Sequence, residues 1–498
     1  MQIASGAERC MRGRRVCARA SCPVAYFGWD LWKSCIAAKW FRVPEDSRWS
    51  DSSPSLASIS MPQPASHDLP ELVRTSPEGR VAVRLAAAVD AERAVAPAVV
   101  VFDRDGAVVV DSPEAIGSVH GPVLDLGDHL ALPPLVNAHA HLDLTGIDPI
   151  PLDGTFADWA GQVRARRATT PEAIAASVRE GVRRSVAGGT GFIGDIAGGF
   201  GITALEALRD AAPSAGLQGV GYVEVFGIGK SSSRGVEFLR GLRARIVDER
   251  GGIRLGVSPH APYSCDDAVY AAAAELGLPI ATHLAETLDE DRFVRDGSGP
   301  FADLLKSVDA WTPDLKGWGR GPVERIQPLL QGRGAALVHL NYLDQAGVQL
   351  LAREVGMTHP SVPVYCPRAS AFFRHPVPGH ASHRYRDLLA TGLPVALGTD
   401  SALVIGDAPT ISVLDEMRFL WRRDRTDPMQ LLAMATVHGA RALGVAAERV
   451  RLPVSGRAGA RALIAVQAGP GNLDSSSGLG GALESARSCV WLRVPDAR

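Results

Sequence analysis

The chain has 498 residues, with 52 Lys and Arg against 54 Asp and Glu for a formal net charge of −2. It is 46% hydrophobic and 21% charged, the composition of an ordinary folded protein. That balance gives no reason to look for nucleic acid or an anionic membrane as partner, and no apolar run approaches the ~20 residues of a membrane span. The length suits one barrel of about 250 residues plus a smaller unit.

Residues 1–60 differ from the rest. They have no clear period, and they carry four of the nine Trp and four of the seven Cys. Cys10, Cys17, Cys22 and Cys35 lack the paired spacing of a zinc ribbon. The segment also lacks a clean apolar stretch followed by a small-residue cleavage site. Met61 opens a stretch that reads like a natural start. The expectation is a disordered or mis-assigned extension with no function placed in it. Cys265, Cys366 and Cys489 read as reduced cysteines of a cytoplasmic protein.

From about residue 80 short β-branched runs begin, broken by Gly, Asp and Pro. VVVFDRDGAVVV reads as a hairpin around Asp105-Gly106. The far end repeats this texture in RALIAVQAGPG and SARSCVWLRV, with GNLDSSSGLGG read as a loop. Residues 80–131 and 450–498 are therefore expected to form one small composite β-sandwich around an inserted domain, 132–449.

Inside that insertion eight strand-like runs alternate with helix-like ones. The strands are PPLVNAH, GTGFIGDI, GVGYVEVFG, IRLGVSPH, LPIATHLAE, AALVHLN, SVPVYCP and LPVALGTDS. Several of the Ala/Leu/Arg-rich stretches between them end in Gly, as a helix C-cap does. The predicted class is α/β, a (β/α)₈ TIM-like barrel. Chemistry on this architecture sits at the C-terminal strand ends. Reading those ends in order yields His139 and His141, Asp195, Glu224, His260, His283 and Glu286, His339, Cys366 and Arg368, and Asp400. His139 and His141 lie two apart on a strand end, so they face one way and can share an ion. Alone, the pair reads equally well as two polar residues on the surface beside a loop. A histidine or carboxylate at nearly every strand end is not what a structural barrel needs.

NAHAH, SPHAPYS, THLAET, VHLN, CPRAS and GTDS stand in an order and spacing that resembles the amidohydrolase superfamily, from about residue 80 onward. Within it the chain is most similar to the deaminase and chlorohydrolase group, above all the aminofutalosine and methylthioadenosine/adenosylhomocysteine deaminases. The resemblance implies one divalent ion, zinc or sometimes iron, with His139, His141, His283 and Asp400 as ligands. Three imidazoles and a carboxylate suit Zn²⁺ and leave a position for water. Such an ion lowers the pKa of its water and supplies hydroxide near neutral pH. Glu286, three residues after His283, is expected to shuttle the proton to a ring nitrogen. His339 is expected to orient the nucleophile, and Asp400 to hydrogen-bond it. No lysine stands in IRLGVSPHAPYS, and Lys230 reads as a loop residue, so a mononuclear site is favoured.

The substrate contacts implied are His260, Asp143, Trp159 and Arg368. Trp159, with Phe156, is either a pocket wall or helix core. Arg368 either holds a substrate carboxylate or pairs with Asp195 or Glu224. His375, His380 and His383 read as loop and helix-start residues. Many relatives carry a larger residue between the first two histidines and a Glu two residues after the second, where this chain has Ala140 and Asp143. The expected reaction is deamination of an adenine-type nucleoside such as aminofutalosine. The alternatives are another C–N or C–Cl bond, as in guanine, a triazine or a formimino compound, or a non-catalytic scaffold. The expected partner is a small molecule, with a homo-oligomer possible.

Overall fold

The computed structural model describes residues 69–116, 122–199, 201–244, 247–468, 475–484 and 489–492. Residues 1–60, with their four cysteines, lie outside the described residues.

Eight strand segments follow one another around a curled parallel sheet, numbered here β1 to β8. They are β1 Leu135–His141, β2 Thr190–Gly199, β3 Gln218–Val225, β4 Ile253–Pro259, β5 Ile280–Leu284, β6 Ala335–His339, β7 Val362–Tyr365 and β8, split into Ala396–Leu397 and Asp400–Ser401. Each pairs in parallel with the next, through Ala140↔Asp195 between β1 and β2 and Val257↔Ile280 between β4 and β5. The first half of β8 pairs with β7, and the second half pairs with β1 at Asp400↔Ala140. One short segment thus joins the first and last strands. The sheet is curled in the manner of a TIM-like fold, and its strands are buried almost throughout, as a parallel sheet covered by helices requires.

The break in β8 is built by named bonds. The Gly398 amide donates to the Tyr365 carbonyl on β7, and the Thr399 amide donates to the His139 carbonyl on β1. The Asn137 side chain clamps the bend from both sides, its amide donating to Thr399 Oγ1 at 2.8 Å and its oxygen accepting from Thr399 N at 3.1 Å.

Helices supply the outer layer where the sequence has capping signals. Thr170 caps Pro171–Ala187 and receives the Ala173 amide, with Pro at the first helical turn. Thr155 and Asp158 form a capping box on Phe156–Arg166. Between β5 and β6 a longer insertion carries helices Leu288–Asp296, Pro300–Ser307 and Pro322–Ile326. Its aromatics form a satellite core with Tyr263 and Phe156, and the Tyr263 and Phe301 rings stack at 3.7 Å.

The two flanks meet in one seven-stranded mixed sheet. Val123–Leu132 pairs with Val81–Val89 on one side and Leu463–Gln467 on the other, joining the two ends of the chain. Among the described residues this is a single hydrogen-bonded sheet, where the sequence led us to expect a two-layered sandwich. Ala98–Asp103 and Gly106–Asp111 form the hairpin, with Gly106 at φ 114. Ser475–Glu484 is a helix where GNLDSSSGLGG read as loop. Its Ser/Gly content argues against a helix, but Leu479, Ala482 and Leu483 fall on one face and are fully buried. Tertiary packing overrides propensity there. No helix among the described residues is long and apolar enough to cross a membrane.

Gly398 ties the fold to the site. A Cβ there would come within 2.8 Å of His139 Cβ and 3.0 Å of Cys366 Sγ and the His139 carbonyl. Gly398→Ala is expected to cost about 1–3 kcal/mol of stability, read from the urea midpoint.

Candidate active site

The strand ends deliver their polar residues to one place. His139, His283 and His339 are buried, and His141 nearly so. The His139 and His141 rings meet edge-on with centroids 4.9 Å apart, and His283 stacks on His141 at 5.4 Å. His141 Nε2 lies 3.3 Å from His283 Nε2 and 3.8 Å from Asp400 Oδ1. Ligand atoms of His139, His141 and His283 fall within 4.8 Å of one another, as do those of His139, His339 and Asp400.

Burial first, and neighbouring imidazoles next, hold His139 well below the usual histidine range. Burial does the same for His141, His260 and His339 and takes His283 to about 4. These rings are therefore neutral and carry lone pairs near pH 7. His283 Nδ1 donates to the His260 carbonyl at 2.9 Å, which leaves the lone pair on Nε2. His139 Nε2 is buried without a hydrogen-bond partner. Neutral imidazole nitrogens gathered this closely fit a divalent cation, and Asp400 adds a carboxylate whose pKa burial raises to about 7.

Glu286 stands beside this group. Its Oε1 lies 3.4 Å from His339 Nε2. Burial, followed by the charges of Asp400 and Glu290, holds its carboxyl well above the ordinary range. Four residues at these strand ends take left-handed backbone: Ala285 at φ 51, His339 at φ 76, Leu340 at φ 54 and Asp400 at φ 60. Non-glycine residues persist there only when their surroundings hold them.

The opposite side, from β1 to β4, is acidic. Asp143, Asp195 and Glu224 are all buried. Arg167, just past the helix Phe156–Arg166, donates from Nε to Asp143 Oδ2 at 2.7 Å and from Nη1 to Glu224 Oε2 at 3.5 Å. Burial opposes the Arg167 charge, but the two carboxylates outweigh it and raise its pKa. Asp195 Oδ1 accepts the Leu142 amide at 2.8 Å, and burial lifts its pKa to about 8. Burial also brings Glu224 to about 7. His260 Nδ1 bonds Ser264 Oγ at 2.7 Å, and its Nε2 lies 3.9 Å from Glu224 Oε1.

The pairing expected of Arg368 changes, and Trp159 takes one of its two expected readings. Arg368 pairs with neither Asp195 nor Glu224. Its Nε donates to Glu416 Oε1 at 2.6 Å and its backbone amide to Glu416 Oε2 at 3.0 Å. Arg167 does the pairing expected of it, and nothing in local sequence marks Arg167 among its neighbouring arginines. Trp159 is helix core, with its indole N–H on the Ile150 carbonyl at 3.1 Å and its ring 4.8 Å from Phe373. Of the later histidines, His383 is buried and bonds the His339 carbonyl at 2.7 Å, so it braces the strained residue from behind. His375 bonds the Tyr342 hydroxyl at 2.8 Å. Lys230 pairs with Asp309 on the surface, away from the cluster.

The sequence pattern of the amidohydrolase family matches residues 130–450. The chain belongs to the amidohydrolase family. This amidohydrolase is 28% identical over 357 residues to a 5-methylthioadenosine/S-adenosylhomocysteine deaminase of Syntrophomonas wolfei, covering 68% of this chain and 73% of that one. It is 28% identical over 332 residues to the aminodeoxyfutalosine deaminase of Deinococcus radiodurans, covering 63% and 73%. In fold it is similar to the aminofutalosine deaminase of Helicobacter pylori, with TM-score 0.65, 17% identity, and coverage of 82% and 97%. It is also similar to the atrazine chlorohydrolase of Arthrobacter aurescens complexed with zinc, with TM-score 0.60, 20% identity, and coverage of 80% and 90%. Family and relatives make it a hydrolase acting on carbon–nitrogen bonds other than peptide bonds.

His141→Ala removes one of the crowded nitrogens. The variant is expected to lose its tightly held divalent ion, measured by elemental analysis after gel filtration. Asp195 yields a pH prediction. Its folded pKa lies above the unfolded value of about 3.9. The folded state keeps a proton that the unfolded chain has released, so this stability is lost as pH rises through 8. Chemical denaturation of metal-free protein should show wild type losing more stability than Asp195→Asn between about pH 6 and pH 9.

Proposed function

We propose that this amidohydrolase deaminates an adenine-type nucleoside, with aminofutalosine the first candidate. The observation that carries the reading is the buried Glu286 carboxyl, 3.4 Å from His339 and beside a cluster of neutral imidazoles. The relatives named for methylthioadenosine, adenosylhomocysteine and aminodeoxyfutalosine deamination support the substrate class.

In this proposal His139, His141, His283 and Asp400 hold the divalent ion, zinc in the first instance. A divalent cation at such a site supplies the Lewis acidity that makes water a nucleophile at neutral pH. Glu286 takes a proton from the attacking water and delivers it to a ring nitrogen of the heterocycle. A second proton goes to the exocyclic amine, and ammonia leaves while the ring carbon keeps the oxygen. Burial holds this carboxyl well above the ordinary carboxylate range, which favours its keeping the proton it takes from water until the ring nitrogen receives it. His339 Nε2 hydrogen-bonds the oxygen on which charge develops. Asp400 accepts a hydrogen bond from the water. His260 contacts the heterocycle, and its bond to Ser264 Oγ fixes the ring's orientation.

Asp143 serves the sugar side. It is shorter than the Glu of many relatives, and Arg167 fixes it at 2.7 Å. Trp159 and Arg368 act from behind the pocket, one packed on Phe373 and the other tied to Glu416.

The test is ammonia release by zinc-loaded protein from aminofutalosine, adenosine, methylthioadenosine, adenosylhomocysteine, guanine and cytosine. Turnover of an adenine nucleoside is expected, falling about 10²–10⁴-fold in Glu286→Gln with the metal retained. Silence on every adenine nucleoside, or an active Glu286→Gln enzyme, would overturn the reading.

A further inference from the structure

Glu290 is a fully buried carboxylate with no part in the chemistry above. It opens the helix Leu288–Asp296, whose N-cap Thr287 receives the Glu290 amide at 3.0 Å. Its side chain turns back toward β5. Oε1 accepts the Ala285 amide and Oε2 accepts the Glu286 amide, both at 2.8 Å. Ala285 is the residue at φ 51. That left-handed step lies between His283 and Glu286, both of which approach His339.

The other side of Glu286 is held as well. Asn341 Nδ2 donates to the Glu286 carbonyl at 3.1 Å. Asn341 Oδ1 accepts from the Ser370 hydroxyl at 2.7 Å. The residue that carries the acid therefore has both its backbone N–H and its C=O bound by buried side chains. Those side chains come from the helix after β5, the end of β6 and the helix after β7.

We propose that Glu290 and Asn341 are positioning residues that clamp the Glu286 backbone and fix the reach of its carboxyl to His339. The proposal rests on Glu286 being the proton carrier of the reaction proposed above. Two carboxylate oxygens facing two adjacent amides hold both peptides in a strained turn. A glutamine at position 290 could do so with one oxygen only, because its NH₂ group would face an amide donor. The same backbone held through one contact drifts, and a misplacement of about 1 Å at a reacting group costs on the order of 10²-fold in rate.

The experiment compares zinc-loaded wild type, Glu290→Gln, Glu290→Asp and Asn341→Ala on the substrate that the ammonia assay identifies. For Glu290→Gln we expect kcat to fall about 100-fold with KM within threefold and zinc content unchanged. Glu290→Asp keeps both oxygens and should recover part of the loss. Adding Glu290→Gln to Glu286→Gln should cause no further loss, since a residue acting only through Glu286 has nothing left to position. Asn341→Ala carries the same expectation if Glu290→Gln fails to fold. A kcat within threefold of wild type in Glu290→Gln and in Asn341→Ala, or losses that add to those of Glu286→Gln, would overturn the clamp while leaving the proposed reaction standing. An active Glu286→Gln would instead overturn that reaction. A crystal structure of zinc-loaded Glu290→Gln tests the clamp without any substrate. A Glu286 carboxyl moved away from His339, with the imidazoles in place, supports it, and an unmoved carboxyl overturns it.

Discussion

The rest of this molecule is arranged around the crowding of four buried imidazoles. His139 lies with its ring centroid 4.9 to 5.7 Å from those of His141, His283 and His339, and burial forces all four toward the neutral form. Two Nε2 atoms lie 3.3 Å apart. Left to themselves, these groups would separate or take up protons from water. Buried polar groups without donors cost about 1–3 kcal/mol each. The barrel supports that cost because its strands are buried on both faces and cannot easily shift in register.

The strand ends carry the strain this entails. Ala285, His339 and Asp400 each leave the ordinary backbone region just where a reactive side chain must turn inward. Each has a local brace. Glu290 holds the turn at Ala285, and His383 bonds the His339 carbonyl. Next to Asp400, Asn137 locks Thr399. All the braces are buried polar side chains, so they act in a low-dielectric setting where hydrogen bonds are strong and loss of one is costly.

Across the cavity the problem is reversed. Three buried carboxyls share a single guanidinium, that of Arg167. Part of the charge is relieved by protons, since Asp195 and Glu224 are pushed to about 8 and 7.

Much of this could be read from sequence because the chemistry is periodic with the fold. Histidines and carboxylates stand at the ends of β-branched runs, and a parallel barrel gathers strand ends, so His139, His141, His283, Glu286, His339 and Asp400 could be named before any coordinates. The alternation of strand and capped helix carried the architecture in the same way. Arg167, Glu290 and Asn341 could not be named, and His383 read only as a loop or helix-start residue. They lie on loops and helix starts, where no period marks orientation, and their partners are up to dozens of residues away. Arg368 shows the same limit from the other side: a charged residue at a strand end, it pairs with Glu416 on a helix 48 positions on. Local sequence decides which groups stand at a strand end. Only tertiary packing decides which buried charge pairs with which, because that choice depends on distances between elements that the chain does not encode locally.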